Sequence, residues 1–278
     1  MKKSIYVLLI FCITQQAFSQ EAGKEPVFKI KGFSHPESVV WDDKNQVIYV
    51  SNIGDKVAGD GFISKLSSEG KVLDLKWITG LNDPKGLLVQ NDKLYVTDNT
   101  ALVEIDLSEA KIIKRTAVEG ADFLNDITAD EEGNLWISDT GNSSIYLKAP
   151  NEGITCWLSS PDLEQPNGLL TAGNTILVAA WGKEEPGNIL EVDRSSKTIK
   201  KISKKGIGNL DGLQKIDDES FYLSDWATGK IHKINKNGAQ VEILTSAKSA
   251  GDILFLEDRN ILILPMNHQN EVWWYSLD

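Results

Sequence analysis

Residues 124–139 read LNDITADEEGNLWISD, and this stretch contains the pattern that decides the fold. It begins with the short run Leu124-Asn125-Asp126-Ile127 and ends with the apolar run Leu135-Trp136-Ile137 before Asp139. Between the two runs lies Glu131-Glu132-Gly133-Asn134, which is typical of a turn. Two short runs on either side of such a turn predict a β-hairpin.

The same pattern recurs along the chain at a nearly constant interval. The copies of the first run are Pro36-Glu37-Ser38-Val39, Pro84-Lys85-Gly86-Leu87, Leu124-Asn125-Asp126-Ile127, Pro166-Asn167-Gly168-Leu169, Leu210-Asp211-Gly212-Leu213 and the degenerate Ala250-Gly251-Asp252-Ile253. Their second positions lie 48, 40, 42, 44 and 40 residues apart. This period accommodates four short strands with their turns. We therefore predict an all-β fold, a six-bladed β-propeller.

The two ends of the repeat region predict how the ring closes. The last repeat, which ends at Trp273-Trp274-Tyr275-Ser276-Leu277, is one strand short, and a spare strand, Val27-Phe28-Lys29-Ile30, precedes the first repeat. The spare strand can complete blade six and cover two sheet edges that would otherwise be exposed. We expect residues 20–278 to form a single propeller domain without an amphipathic helix longer than two turns.

The first 19 residues have the features of a secretory signal peptide. Lys2 and Lys3 precede an apolar run, residues 5–13, which is shorter than the about 20 residues that span a bilayer. Ala17-Phe18-Ser19 then places small residues at the positions that signal peptidase reads. We expect an exported protein, periplasmic or secreted, with no membrane anchor. Cys156 would be its only cysteine, and its apolar neighbours predict a buried thiol.

Composition excludes several classes of protein. The chain is 41% hydrophobic and 25% charged, as soluble globular proteins are. Its 29 Lys and Arg residues against 40 Asp and Glu residues give a net charge of -11. Nucleic acids and anionic membrane surfaces both need a basic patch, and none is visible in the sequence. We expect a monomer that acts on a small molecule.

The second position of each repeat predicts a site. Because the inner strand of every blade begins near the central channel, these positions should bring six residues to one mouth: Glu37, Lys85, Asn125, Asn167, Asp211 and Gly251. Carboxylate and amide oxygens are the ligands that Ca²⁺ prefers. The competing interpretation is that Asn-Gly and Asp-Gly only form turns, which would explain Asn167 and Asp211 but not Glu37.

These motifs resemble those of the family of senescence marker protein (regucalcin), gluconolactonase and luciferin-regenerating enzyme. The matching residues are Glu37 in the first repeat, Asn125-Asp126 followed by Asp130, Gly133 and Trp136 in the third, Pro166-Asn167-Gly168 in the fourth, and Asp211-Gly212 in the fifth. The resemblance covers essentially the whole mature chain. It implies a six-bladed propeller with one divalent cation, usually Ca²⁺, which Glu37, Asn125, Asn167 and Asp211 would hold.

Two residues depart from the family pattern. Sugar-lactonase members carry an arginine two residues before the third-repeat asparagine, where this chain has Phe123, so we expect a substrate less polar than a sugar lactone. Lys85 is open to three interpretations: it repels the metal, it binds a substrate carboxylate, or it forms a salt bridge with Glu37, Asp126 or Asp252. The residues predicted to contact substrate are Lys85, Phe123, Asp126, Trp181 and Asp252.

Other polar and aromatic residues remain ambiguous at this stage. Asp98, Asp139 and Asp225 end the second strands and could cap those strands or support the site. Trp181, which ends the corresponding run of the fourth repeat, and Trp226 could wall a pocket, and His35 and His268 could flank the channel mouth.

Two hypotheses about function follow. The first is a Ca²⁺-dependent hydrolase of a lactone or a related ester, in which the cation polarises the carbonyl group and Asp211 activates water as a general base. The alternative is a non-catalytic propeller that binds a ligand or a partner and keeps a structural cation, because propellers support many functions.

Overall fold

The computed structural model describes residues 24–55 and 57–278, so the predicted signal peptide lies outside the described residues. Six four-stranded antiparallel sheets form the blades of a β-propeller, which confirms the predicted fold class. Within the described residues there is no α-helix, and three short 3₁₀ segments cover Pro161–Leu163, Glu257–Arg259 and Asn267–Gln269. No described helix is long and apolar enough to span a membrane.

The strands follow the chain from the inner to the outer position of each blade. Blade one contains β2 (Pro36–Asp42), β3 (Val47–Asn52), β4 (Gly61–Ser67) and β5 (Val72–Leu81). Blade two contains β6 (Pro84–Gln90), β7 (Lys93–Asp98), β8 (Ala101–Asp106) and β9 (Lys111–Ala117). Blade three contains β10 (Leu124–Ala129), β11 (Leu135–Asp139), β12 (Ser144–Lys148) and β13 (Ile154–Ser159). Blade four contains β14 (Pro166–Ala172), β15 (Thr175–Ala180), β16 (Ile189–Asp193) and β17 (Ile199–Lys201). Blade five contains β18 (Leu210–Lys215), β19 (Ser220–Asp225), β20 (Lys230–Asn235) and β21 (Gln240–Thr245).

Blade six joins the two ends of the chain, as the spare strand predicted. It contains β22 (Leu254–Leu256), β23 (Ile261–Met266), β24 (Glu271–Ser276) and, as its outer strand, β1 (Phe28–Lys31). The pairing of Phe28 with Trp274 sets the register between β1 and β24, and the two rings stack with centroids 4.7 Å apart. The observed strand begins and ends one residue later than the predicted one.

Six hydrophobic cores hold the blades together, one at each junction between neighbours. At the closing junction, Ile48 and Leu66 of blade one lie in one core with Ile263 and Trp274 of blade six. The alternation of apolar and polar residues in each strand places such side chains on the faces that meet. The core at the closing junction needs residues from both ends of the repeat region. Closure of the ring therefore buries apolar surface in addition to pairing β1 with β24.

The prediction of a buried Cys156 thiol is wrong. Cys156 lies in the outer strand β13, and its side chain is exposed. Outer strands have one face towards solvent, so an apolar run in that strand does not ensure burial.

A bulge in the inner strand shapes the channel. In five blades the pairing between the first two strands shifts just after the first residue of the repeat, for example between Leu124 and Ile127 or between Leu210 and Leu213. A bulge turns side chains out of their regular alternation. The second and third residues of these repeats lie within the bulges, which places the second residue at the cavity described below.

Candidate functional site

The second repeat positions converge on a cavity of about 440 Å³. Its floor contains the five ring residues that have side chains: Glu37, Lys85, Asn125, Asn167 and Asp211. Each is at most 6% exposed although it lines the cavity. The sequence prediction that these residues meet at one place therefore agrees with the geometry of the molecule.

The interpretation of Asn-Gly and Asp-Gly as turns is wrong. Asn167 and Gly168 lie inside β14, and Asp211 and Gly212 lie inside β18. A Cβ atom on Gly168 would collide with the carbonyl oxygen of Asp211 in the next blade. The glycine is therefore required by the close approach of two inner strands, and the residue before it needs another explanation.

Two buried carboxylate oxygens on the floor have no hydrogen-bond partner among the described residues: Glu37 Oε2 and Asp211 Oδ1. Leaving such an oxygen unpaired is costly, so a buried pair of them in a cavity indicates a place suited to a cation or a proton. Burial raises the pKa of Glu37 well above its ordinary value, and the charge of Asp211 adds to the effect. Burial also raises the pKa of Asp211, with Asp252 as the next cause.

The two asparagines hold their amide groups in defined positions. Asn125 donates a hydrogen bond from Nδ2 to Thr140 Oγ1 over 3.2 Å, which leaves Asn125 Oδ1 free to accept from or bind another group. The amide of Asn167, which lines the same cavity, partly offsets the rise in the pKa of Asp211. Asn125 thus uses its amide nitrogen towards the protein, and its amide oxygen remains for a ligand.

A cation at this floor would have an unusual donor set. No group of three or more His, Cys, Asp or Glu side chains in the described part of the chain is arranged to hold a metal ion. The ring offers only two carboxylates, together with two amides, so it has fewer than three side chains of those four types. Oxygen donors of these two kinds suit a hard cation such as Ca²⁺ better than a transition metal.

The expected salt bridge of Lys85 with Glu37, Asp126 or Asp252 is not formed. Lys85 Nζ lies 2.6 Å from Asp83 Oδ2 and 4.1 Å from the centroid of the Phe123 ring. Its charge still lowers the pKa of Glu37 and of Asp211. Lys85 is therefore held beside the wall of the cavity by Asp83 and Phe123, and it acts on the floor carboxylates through space.

Asp126 and Asp252 also need a correction, because they do not line the cavity. Asp126 accepts hydrogen bonds from the backbone N–H groups of Ile127 and Leu169, and Asp252 accepts one of 2.6 Å from Ser38 Oγ. Both occupy third repeat positions, where they join one blade to the next. The prediction that they contact substrate is not supported by this position, and the hydrogen bonds to Leu169 and Ser38 join neighbouring blades.

Aspartates at the ends of second strands position the loops that lead into the ring. Asp139 accepts hydrogen bonds from the backbone N–H groups of Asp122 and Phe123, and Asp98 accepts from those of Asn82 and Asp83. Asp225 accepts from Asn209 in the same way. These groups support the site by fixing the residues that come just before each ring position.

Sequence reasoning missed a set of hydroxyl groups that join neighbouring inner strands. Ser138 Oγ accepts from the N–H of Asp126 in its own blade and donates to the carbonyl oxygen of Asn167 in the next, over 2.8 and 2.7 Å. Ser224 does the same between Gly212 and Gly251. The signal was present in the sequence, because Ser51, Thr97, Ser138 and Ser224 each precede the polar residue that ends a second strand.

The walls of the cavity come from two further repeat positions. In all six blades, the residue after the second strand donates its N–H to the carbonyl oxygen of the residue two places before the ring position, over 2.9–3.4 Å. The position just after the second strand supplies the wall residues Ile53, Thr140, Trp181, Trp226 and Asn267. The position two residues before the ring residue supplies His35, Phe123 and Gln165. His268 completes the wall.

This alignment corrects the placement of Trp181. The second strand of blade four ends at Ala180, so Trp181 corresponds to Thr140 and Trp226, and not to the aspartates at the strand ends. Trp181, Phe123, His35 and His268 all line the cavity, as the sequence suggested for the mouth of the channel.

Comparisons with known proteins add information about the fold. No protein-family model matches the chain, and no curated protein matches it. Among solved structures, a gluconolactonase from Xanthomonas campestris, described as important in glucose secondary metabolic pathways, matches with a TM-score of 0.72 and 13% sequence identity. The match covers 92% of this chain and 95% of the other. At this identity the likeness shows the shared propeller fold and leaves the activity to be judged from the site.

Proposed function

We propose that the chain is a hydrolase of a lactone or a related ester that depends on a divalent cation, with Ca²⁺ as the expected ion. The observation that carries the proposal is the pair of buried, unpartnered carboxylate oxygens, Glu37 Oε2 and Asp211 Oδ1, at the floor of a cavity. Fold likeness to a gluconolactonase agrees with this class of reaction.

The floor residues fit a hard cation. Glu37, Asn125, Asn167 and Asp211 would hold it, because the two unpaired carboxylate oxygens and the two amide side chains line one cavity. When bound, the cation would polarise the carbonyl group and offset charge on its oxygen. Raised pKa values of Glu37 and Asp211 in the cation-free protein agree with a site suited to added positive charge.

Asp211 is the proposed general base. Its carboxylate lies at the cavity, where it can accept a proton from a water molecule. Asn167 and Lys85 both keep its pKa from rising further. Burial alone would favour the protonated form, which is inactive as a base, so these two neighbours favour the active form.

The expected substrate is less polar than a sugar lactone. The wall at blade three is the aromatic ring of Phe123, and Lys85 is already paired with Asp83, so neither group is free to bind several hydroxyl groups. We infer also that the protein is exported, because residues 1–19 have the pattern of a signal peptide.

Metal analysis of the purified protein tests the first half of the proposal. We expect about one equivalent of a divalent cation per chain, removable by a chelator. A pH-stat screen of aliphatic, aromatic and sugar lactones, with and without chelator, tests the second half, and we expect turnover that stops when the cation is removed.

Two outcomes would contradict the proposal in different ways. A cation that binds without any chelator-sensitive turnover would favour the non-catalytic propeller with a structural ion. Turnover that survives complete removal of the cation would refute metal dependence and leave the hydrolase assignment in place.

A further inference from the structure

The cavity is lined unevenly around the ring. Blades two and three contribute the polar groups Lys85, Asn125 and Thr140, and blade three also contributes the ring of Phe123 beside Lys85. Blades four, five and six contribute Trp181, Trp226 and His268. The neighbouring aromatic side chains of blades four, five and six therefore offer one extended aromatic face to a molecule in the cavity.

The three aromatic side chains form a continuous surface, which we call the aromatic arc (Trp181, Trp226 and His268). The ring centroids of Trp181 and Trp226 lie 6.2 Å apart with an interplanar angle of 56°, and those of Trp226 and His268 lie 5.5 Å apart at 83°. Inclined rings of this kind can offer one planar ligand both a face contact and an edge contact.

The backbone holds the arc in place before any ligand arrives. The N–H groups of Trp181 and Trp226 donate to the carbonyl oxygens of Gln165 and Asn209, each over 2.9 Å. The side chain of Asn209 also donates to the carbonyl oxygen of Trp181 over 3.0 Å, which links blades four and five. A surface that is already ordered loses little conformational entropy when a ligand binds.

The indoles of Trp181 and Trp226 differ from those of Trp136 and Trp273 in their hydrogen bonding. Trp136 and Trp273 donate their indole N–H groups to Asp130 and Glu271. Within the described residues, the indole N–H groups of Trp181 and Trp226 have no protein acceptor, and both side chains are half-buried at the cavity. Their surfaces are therefore available to a ligand.

Charge argues for a neutral ligand. The floor contains the carboxylates of Glu37 and Asp211, and Lys85 is already engaged in an ion pair with Asp83 at 2.6 Å. An acidic ligand would gain no free cationic side chain among the described lining residues, unless it used a histidine. A planar uncharged ring, in contrast, loses little on leaving water and gains contact with the arc.

We propose that the cavity takes a neutral lactone or ester with a planar aromatic ring, which lies against the aromatic arc while the carbonyl group points to the floor beside Asn125. This inference rests on the proposed function for the carbonyl group, but the ring-binding surface can be tested without catalysis. The chemical class is an aryl ester or a benzo-fused lactone.

Binding of lactams, which resist hydrolysis, tests the inference directly. The probes are 3,4-dihydroquinolin-2-one and its saturated counterpart octahydroquinolin-2-one, measured by calorimetry on the full mature protein with added Ca²⁺. We expect the aromatic lactam to bind about 3–10-fold more tightly, which is the range of an aromatic pair contact. A polyhydroxylated sugar lactam should bind most weakly.

Matched variants locate the preference. Trp226→Leu and, as a second variant, Trp181→Leu should each reduce the aromatic preference to within about twofold, because leucine keeps apolar contact but not the ring. Trp157→Leu is the control, since Trp157 lies in the outer strand β13 against Trp136 and away from the cavity. Circular dichroism confirms that each variant is folded.

The outcomes separate this inference from the proposed function. Equal binding of the two bicyclic lactams, tighter binding of the sugar lactam, or a preference that survives both cavity variants would overturn the inference. An aromatic preference without hydrolysis of any lactone would support the inference and refute the proposed function. Lactone hydrolysis without aromatic preference would support the proposed function and refute the inference.

Discussion

Replacing Asp252 by asparagine should stabilise the cation-free protein at neutral pH and have little effect in acid. Burial raises the pKa of Asp252 from 3.8 to about 7, with its hydrogen bond from Ser38 acting in the opposite direction. At 1.36 kcal/mol per pKa unit, this rise corresponds to about 4 kcal/mol of lost stability once the group is ionised. The amide oxygen of the introduced asparagine can still accept the hydrogen bond from Ser38.

The direction of the pH effect on stability follows from proton binding by Asp252. Between pH 3.8 and about 7 the folded protein holds the proton of Asp252 more tightly than the unfolded chain does, so stability falls as pH rises through this window. Below pH 3.8 the group is protonated in both states and contributes no difference. The variant has no such group, so its advantage should grow from near zero at pH 4 to as much as about 4 kcal/mol at pH 8.

Urea unfolding in excess chelator, at pH 4, 6 and 8, measures this difference. Asp258→Asn is the matched control, because Asp258 is an exposed carboxylate outside the channel. A variant less stable than the parent at pH 8, or equally more stable at all three pH values, would refute the reasoning. Added Ca²⁺ should reduce the advantage, since a cation in the channel compensates the carboxylates directly.

Three further changes test other parts of the molecule. Asp211→Asn should lower turnover on the best lactone by about 10²–10⁴-fold while a cation still binds, and an equal rate would exclude Asp211 as the base. Thr140→Val should weaken cation affinity by about 10–100-fold, because it frees the amide of Asn125, and Thr140→Ser should restore it in calorimetric titration. Ser224→Ala should lower the free energy of unfolding by about 1–3 kcal/mol, since it leaves the N–H of Gly212 and the carbonyl of Gly251 unpaired, and an unchanged urea midpoint would contradict this.

The sequence alone was sufficient for the architecture and for the main members of the site. Strand alternation and the interval between repeats are local properties of the chain, so they predicted six blades, the closing strand near Phe28 and the ring that includes Glu37 and Asp211. The alignment of the repeats also contains the wall residues Thr140 and Trp226. A comparison of the position after each second strand across the repeats would have identified them.

The tertiary structure was needed to identify the partner of a side chain wherever the sequence allowed several partners in different blades. Lys85 could reach several carboxylates by repeat position, and the fold gives it Asp83 and the Phe123 ring. Asp126 and Asp252 share their blades with the site, yet Asp126 lies in an inner-strand bulge and bonds to the N–H of Leu169, while Asp252 accepts from Ser38 of blade one. These pairings depend on distances of a few ångströms between strands that are far apart in sequence, and no local periodicity encodes such distances. The order of strands within a blade, in contrast, follows from short turns between consecutive segments of the chain.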